Sequence, residues 1–178
     1  MELRPPRITN TYDIFLSSGN DAKDLRERVC SIVEMINAQL PPRSNLHLQV
    51  HRWETMTAQK PQPGETVNDL FLAQARESHV TLVLLLTEIF PFTLKEVLAV
   101  LAEEKVDLSV LWFRDPDGKD DSALRAFLRD HQARFLYQEL GEPDSEAAWL
   151  ALFAALFRLV MTAAYPLKET ERLLYERR

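Results

Sequence analysis

The sequence predicts a three-layer α/β sandwich built on a five-stranded parallel sheet. Short β-rich or apolar runs alternate, five times over, with segments whose apolar residues recur every three or four positions. The links between them are short, as β–α–β crossovers in one sheet require. One run, His79 to Thr87, is almost wholly apolar, which suits a central strand covered on both faces.

Thr11 to Ser17 reads as the first strand, running into Ser-Ser-Gly-Asn. From Asp21 the period changes: Leu25, Val29, Ile32, Val33, Ile36 and Leu40 lie on one helical face. Asn20 or Asp21 is the expected N-cap, and Pro41-Pro42 the stop. Leu46, Leu48 and Val50 alternate with His47, Gln49 and His51, giving a second strand that ends at Trp53-Glu54. A polar loop from Glu54 to Glu65 carries Pro61, Pro63 and Gly64, and a helix follows on Val67, Leu70, Phe71 and Ala75. After the third strand, Leu94, Val97, Leu98 and Leu101 mark another helix. Leu108 to Phe113 is the fourth strand, closed by Asp115-Pro-Asp-Gly118. Ser122 to His131 reads as a helix and Arg134 to Tyr137 as the fifth strand. Asp144 or Ser145 caps a long helix to about Ala164, Pro166 interrupts it, and Lys168 to Arg178 is a charged helical tail. The division expected is an arm over 1–10, an α/β domain over 11–165 and a tail over 166–178. Five strands favour the flavodoxin-like order 2-1-3-4-5, whose ligands bind beyond the carboxyl ends of the strands. The loops Ser17–Asp21, Trp53–Glu65, Thr87–Phe92 and Arg114–Gly118 are the ones placed there.

The chain has 178 residues, a length for one domain. Asp and Glu outnumber Lys and Arg by 27 to 21, a net charge of −6. That balance speaks against a nucleic-acid surface or an anionic membrane as partner. The single cysteine, Cys30, excludes an internal disulfide and a multi-cysteine zinc site. The four glycines, Gly19, Gly64, Gly118 and Gly141, lie too far apart for a dinucleotide or P-loop phosphate cradle. Met1-Glu-Leu-Arg-Pro-Pro lacks the apolar core of a signal peptide, so a cytoplasmic location is expected. His47 and His51 share a strand face, but no third ligand accompanies them, so a polar sheet face is the expectation and no metal.

The segment Ala147 to Tyr165 has nineteen residues and one charge, Arg158. It approaches the length of a membrane span, but the sheet needs a covering helix there and the charge lies within it. Its wide apolar surface points instead to self-association or a partner protein, through the helical region 147–174 that includes Leu173-Leu174.

The loops carry a family resemblance. Tyr12-Asp-Ile-Phe-Leu-Ser-Ser-Gly-Asn-Asp21 resembles the opening strand and loop of Toll/interleukin-receptor (TIR) domains. Pro63-Gly64-Glu65-Thr66 resembles the TIR Pro-Gly loop before a helix, and Arg76-Glu77-Ser78 with the strand to Thr87 resembles the third TIR strand. Phe92-Thr-Leu-Lys-Glu96 resembles the aromatic residue and glutamate that open the next TIR helix. A bacterial TIR-like family, often found at the N-terminus of STAND-type NTPase proteins, is the nearer match. It pairs Ser17-Ser18 and Asp21 with Trp53-Glu54 and Thr93-Leu-Lys-Glu96. The resemblance spans Tyr12 to Arg114; Ile89-Phe-Pro-Phe replaces a small-residue turn, and Phe92 and Thr93 stand where TIR domains carry Trp and Cys.

The resemblance implies an NADase, a hydrolase of the N-glycosidic bond of NAD or a related nucleotide, assembled in anti-phage defence signalling. NAD is then the substrate, and no cofactor is needed. Glu96 is the implied catalytic residue, since a carboxylate aimed at the ribose stabilises an oxocarbenium-like state. Thr93-x-x-Glu96 also fits a capping box with no chemistry. Ser17, Ser18 and Asn20, at a strand-to-helix turn, suit a phosphate or ribose, though Asp21 opposes an anion there. Trp53 offers a stacking ring or a core side chain, and core burial is the expectation; Trp112 is expected in the core. Glu54, Thr87, Phe92 and Thr93 complete the implied substrate contacts. Two non-enzymatic alternatives are an interaction and oligomerisation module and a nucleotide-signal sensor.

Overall fold

The computed structural model describes residues 10–41, 45–56, 61, 63–103, 107–113 and 122–164. The chain runs β1 (Asn10–Ser18), α1 (Lys23–Gln39), β2 (Leu46–His51), α2 (Trp53–Met56), α3 (Val67–Glu77), β3 (Val80–Leu85), α4 (Pro91–Leu101), β4 (Asp107–Phe113), α5 (Ser122–His131), β5 (Leu136–Leu140) and α6 (Glu146–Ala164). All four strand pairings are parallel, in the order β2-β1-β3-β4-β5. This is the expected doubly wound order.

Alternation along the strands splits the core into two layers. Ile14, Leu16, Leu82, Leu84, Leu111 and Phe113 pack with the apolar stripe of α1 and with Ala148, Leu152 and Leu156 of α6. Phe15, Val83, Leu85, Val110 and Trp112 pack on the other face with Phe71 of α3, Val97 and Val100 of α4, and Leu124, Phe127 and Leu128 of α5. Every residue of β3 is buried, as a central strand with helices on both faces must be. Trp112 is in the core, as expected, and its indole N–H donates to the Leu86 carbonyl at 2.9 Å. The expected Ser145 cap of α6 is present: its hydroxyl accepts from the Ala148 N–H at 3.1 Å. Arg28 of α1 ties down that helix start by donating to the Pro143 carbonyl at 2.8 Å and to Asp144.

Four local expectations are corrected. The residues 132–134 continue α5 as a single 3₁₀ turn, and the fifth strand starts at Leu136 rather than Arg134. The shift lets Phe135 stack on Phe127, ring centroids 5.8 Å apart, while Leu140 reaches the core. Trp53 and Glu54 do not end a strand; they open the one-turn helix α2. Neither Asn20 nor Asp21 caps α1 through its side chain. The backbone there closes a 3₁₀ turn, Ala22 N–H to the Gly19 carbonyl at 3.2 Å, and Asp21 takes the Thr87 hydroxyl at 3.3 Å. Finally, α4 begins two residues before Thr93. Pro91 occupies its first turn, where a missing N–H costs nothing and φ is already set. The Thr93-x-x-Glu96 capping box therefore does not form; the reciprocal box belongs to Thr66 and Asp69 at the start of α3.

The arm over 1–9, Pro42, residues 57–60 and 62, the Asp115–Gly118 turn and the tail over 166–178 lie outside the described residues. No helix among the described residues is long and apolar enough to cross a membrane.

Candidate active site

Glu96 points from the second turn of α4 at the end of β1. Its side chain is 6% exposed, and the Ser17 hydroxyl, itself 1% exposed, donates a hydrogen bond to Oε2. Burial disfavours the charged carboxylate and lifts the Glu96 pKa to about 7, while the Ser17 hydrogen bond pulls it down. Both protonation states of Glu96 are therefore accessible near neutrality, a property concentrated at functional carboxylates.

The Glu96 carboxyl borders a crevice of about 380 Å³ at the carboxyl edge of β1. Phe15 and Leu16 of β1 are among its lining residues. Ser18 enters from the end of β1, Gly19 and Asn20 from the turn after it, and Trp53 from α2. Asn68 and Phe71 come from α3, and Phe90, Pro91, Phe92, Thr93 and Glu96 from the approach and start of α4. Gly19 permits the closure: a Cβ there would lie 2.2 Å from the Phe90 ring. Phe71 and Phe92 meet edge to face, centroids 6.2 Å apart.

Arg26 holds the turn after β1 to α2. It lies on the buried face of α1 and is 1% exposed. Its Nε donates to Glu54 Oε1 at 2.7 Å, and Nη1 donates to the Ser18 hydroxyl at 2.8 Å and the Gly19 carbonyl at 2.7 Å. The guanidinium also sits over the Trp53 ring, 5.7 Å from its centroid. A buried guanidinium needs such an acid and acceptors, because an unpaired buried charge costs several kcal/mol.

The structure thus gathers Ser18, Asn20, Trp53, Phe92, Thr93 and Glu96 around one crevice, with Ser17 behind Glu96. Trp53 is 43% exposed and lines the crevice; it is not the core residue expected. Glu54 faces Arg26. Thr87 is separate: with Asp21, Glu142 and Asp144 it lines a neighbouring hollow of about 360 Å³. Away from the crevice, His51 Nε2 at the end of β2 lies 2.7 Å from Asp13 Oδ1, and the Asp13 N–H donates to His79 Nδ1 at 3.0 Å. No group of three or more His, Cys, Asp or Glu among the described residues is placed to hold a metal ion. Arg26, Asn68, Phe71 and Phe90 were not read as site residues from the sequence. Arg26 had a signal, a lone charge on an apolar helical stripe that had to find an acid, and Phe90 lay in the Thr87–Phe92 loop placed at the carboxyl ends of the strands; Phe71 was read only as part of a helical stripe, and Asn68 had no signal.

No protein-family model and no curated protein sequence matches the chain. Solved structures do. The chain is similar to the rubredoxin oxygen:oxidoreductase of Desulfovibrio gigas at 10% identity and a TM-score of 0.50, covering 90% of this chain and 38% of that one. It therefore spans well under half of that protein. It is also similar to a flavodoxin-like domain from Synechococcus sp. (9% identity, TM-score 0.46, 80% of this chain and 92% of that one). A third is the CMP N-glycosidase of Clostridium botulinum (11% identity, TM-score 0.46, 79% and 97%). At such identities the likeness concerns the fold alone, and with the β2-β1-β3-β4-β5 parallel order the chain has the flavodoxin-like α/β fold.

Proposed function

We propose that the chain is a TIR-like hydrolase that cleaves the N-glycosidic bond of NAD or a related nucleotide, with Glu96 as the catalytic carboxylate. The observation that carries this reading is the buried Glu96, hydrogen-bonded to Ser17 at the wall of an aromatic-lined crevice. In NAD the ribose C1′–N bond breaks and its electron pair passes to the pyridinium nitrogen, giving neutral nicotinamide. The ionised Glu96 stabilises the positive charge left on the ribose. Water then adds at C1′ and loses a proton, so NAD and water become ADP-ribose, nicotinamide and a proton. Nicotinamide leaves already activated, so one carboxylate suffices. Ser17 positions that carboxylate, Trp53 and Phe92 offer walls for the ring, and Ser18, Asn20 and Thr93 offer hydroxyls and an amide to the sugar.

The experiment is nicotinamide release from NAD by concentrated protein, beside Glu96→Gln. Release lost in the variant supports the reading; no release, even from forced oligomers, rejects it. The family likeness carries with it a role in anti-phage defence, with assembly as the trigger.

A second reading, an assembly module, is favoured by α6. Trp149, Phe153, Phe157 and Met161, four residues apart, are all at least partly exposed along one face, and the rings of Phe153 and Phe157 stack at 6.3 Å. Light scattering that shows a monomer at high concentration rejects self-association through this face.

A further inference from the structure

Ser17 and Ser18 are neighbours on β1, so their side chains leave opposite faces of the sheet. Ser17 turns to α4 and donates to Glu96; Ser18 turns to α1 and accepts a hydrogen bond from Arg26 Nη1 at 2.8 Å. A serine hydroxyl holds one proton and two lone pairs, while a guanidinium only donates. Arg26 therefore occupies a lone pair of Ser18 and cannot receive its proton. The guanidinium itself has little freedom. It is 1% exposed, and Glu54 Oε1 and the Gly19 carbonyl each hold it at 2.7 Å. Among the described residues no acceptor takes the Ser18 proton, and Ser18 lines the crevice. The proton is left for whatever the crevice binds, and the charged donor behind it strengthens the bond that Ser18 can give.

Glu96 lines the same crevice from the α4 side. When ionised it only accepts hydrogen bonds, and it repels an anion. The hydroxyls of a sugar suit both sides, because they can accept from Ser18 and donate to Glu96. A phosphate oxygen suits Ser18 alone.

We propose that Arg26 is a positioning residue that commits Ser18 as a fixed hydrogen-bond donor, and that Ser18 reads a hydroxyl oxygen of the bound sugar. That this sugar is the ribose carrying the scissile bond rests on the N-glycosidase reading. The direction of the Ser18 proton rests on Arg26 alone.

Calorimetry on the full chain with ADP-ribose, which has no nicotinamide to release, tests this, with thermal unfolding confirming the fold of each variant. Ser18→Ala is expected to weaken ADP-ribose binding by about fivefold or more and to have no such effect on ADP, which lacks the terminal ribose. Arg26→Gln combined with Glu54→Gln removes the clasp without leaving a buried charge unpaired. In that background the Ser18 hydroxyl is free to turn, and Ser18→Ala is expected to cost about twofold or less. A merely structural Arg26 would not produce that coupling. ADP-ribose binding that is undetectable in the parent, or unchanged in Ser18→Ala, overturns the proposal. An equal loss with ADP overturns the sugar as the partner of Ser18, and an equal cost in both backgrounds overturns the role of Arg26. Nicotinamide release from NAD is measured alongside. The expected binding pattern without release upholds this inference and rejects the glycosidase reading. Release with ADP-ribose binding unchanged in Ser18→Ala does the reverse.

Discussion

Glu96 ionises near 4.5 when exposed and near 7 in the folded protein. The folded state thus holds a proton that the unfolded chain has already released, so the Glu96 contribution to stability falls as pH rises between those values and stays lowered above. Glu96→Gln removes the ionisation while its side-chain carbonyl still accepts from Ser17. The variant is expected to exceed the parent in stability by about 3 kcal/mol at pH 8, with the gap closing below about pH 4.5; urea unfolding at both extremes measures it. Ser17→Ala removes the one hydrogen bond that lowers the Glu96 pKa. If ionised Glu96 is the working form, nicotinamide release rises with pH through about 7 in the parent, and the midpoint moves higher in Ser17→Ala. Arg26→Leu strips Glu54, Ser18 and Gly19 of their shared partner, and a loss of about 3 kcal/mol is expected. A change in Trp53 fluorescence should accompany it, since the guanidinium lies over that ring.

At the scale of elements, the turn after β1 and the approach to α4 shape the crevice together. Gly19 lets the Phe90 ring come close; Gly19→Ala forces that ring aside, because the added Cβ would lie 2.2 Å from it. Such overpacking costs about 1–3 kcal/mol, and the altered crevice should raise the KM for the substrate more than it lowers kcat. On α6, Phe153→Ser with Phe157→Ser replaces two rings of the outward face. If that face mediates assembly, light scattering finds the variant monomeric where the parent self-associates. Unchanged assembly means that another surface carries it.

Over the whole molecule, the layers were legible because burial writes itself into spacing. The run through Val80–Leu85 and the stripe of Leu25, Val29, Ile32, Val33 and Ile36 could be satisfied only by a covered central strand and an amphipathic helix. Element ends were less legible, because local chemistry competes there: Pro91 displaced the apparent cap at Thr93, and the Phe127–Phe135 stack displaced the start of β5. Of the site, Glu96 and the Ser17-Ser18 turn were legible as separate motifs. Their contact was not, since it joins residues 79 apart and depends on the start of α4 packing against the end of β1. The exposure of Trp53 depended on α2, a single helical turn with no sequence period to reveal it.

The central claim is that Glu96 works on an N-glycosidic bond. Its most direct test is release of free nicotinamide from NAD at about pH 8, parent beside Glu96→Gln, with folding of both confirmed by thermal unfolding. The expected result is release by the parent and a loss of about a hundredfold or more in the variant. Equal release from both proteins, or none from the parent at any degree of assembly, contradicts it.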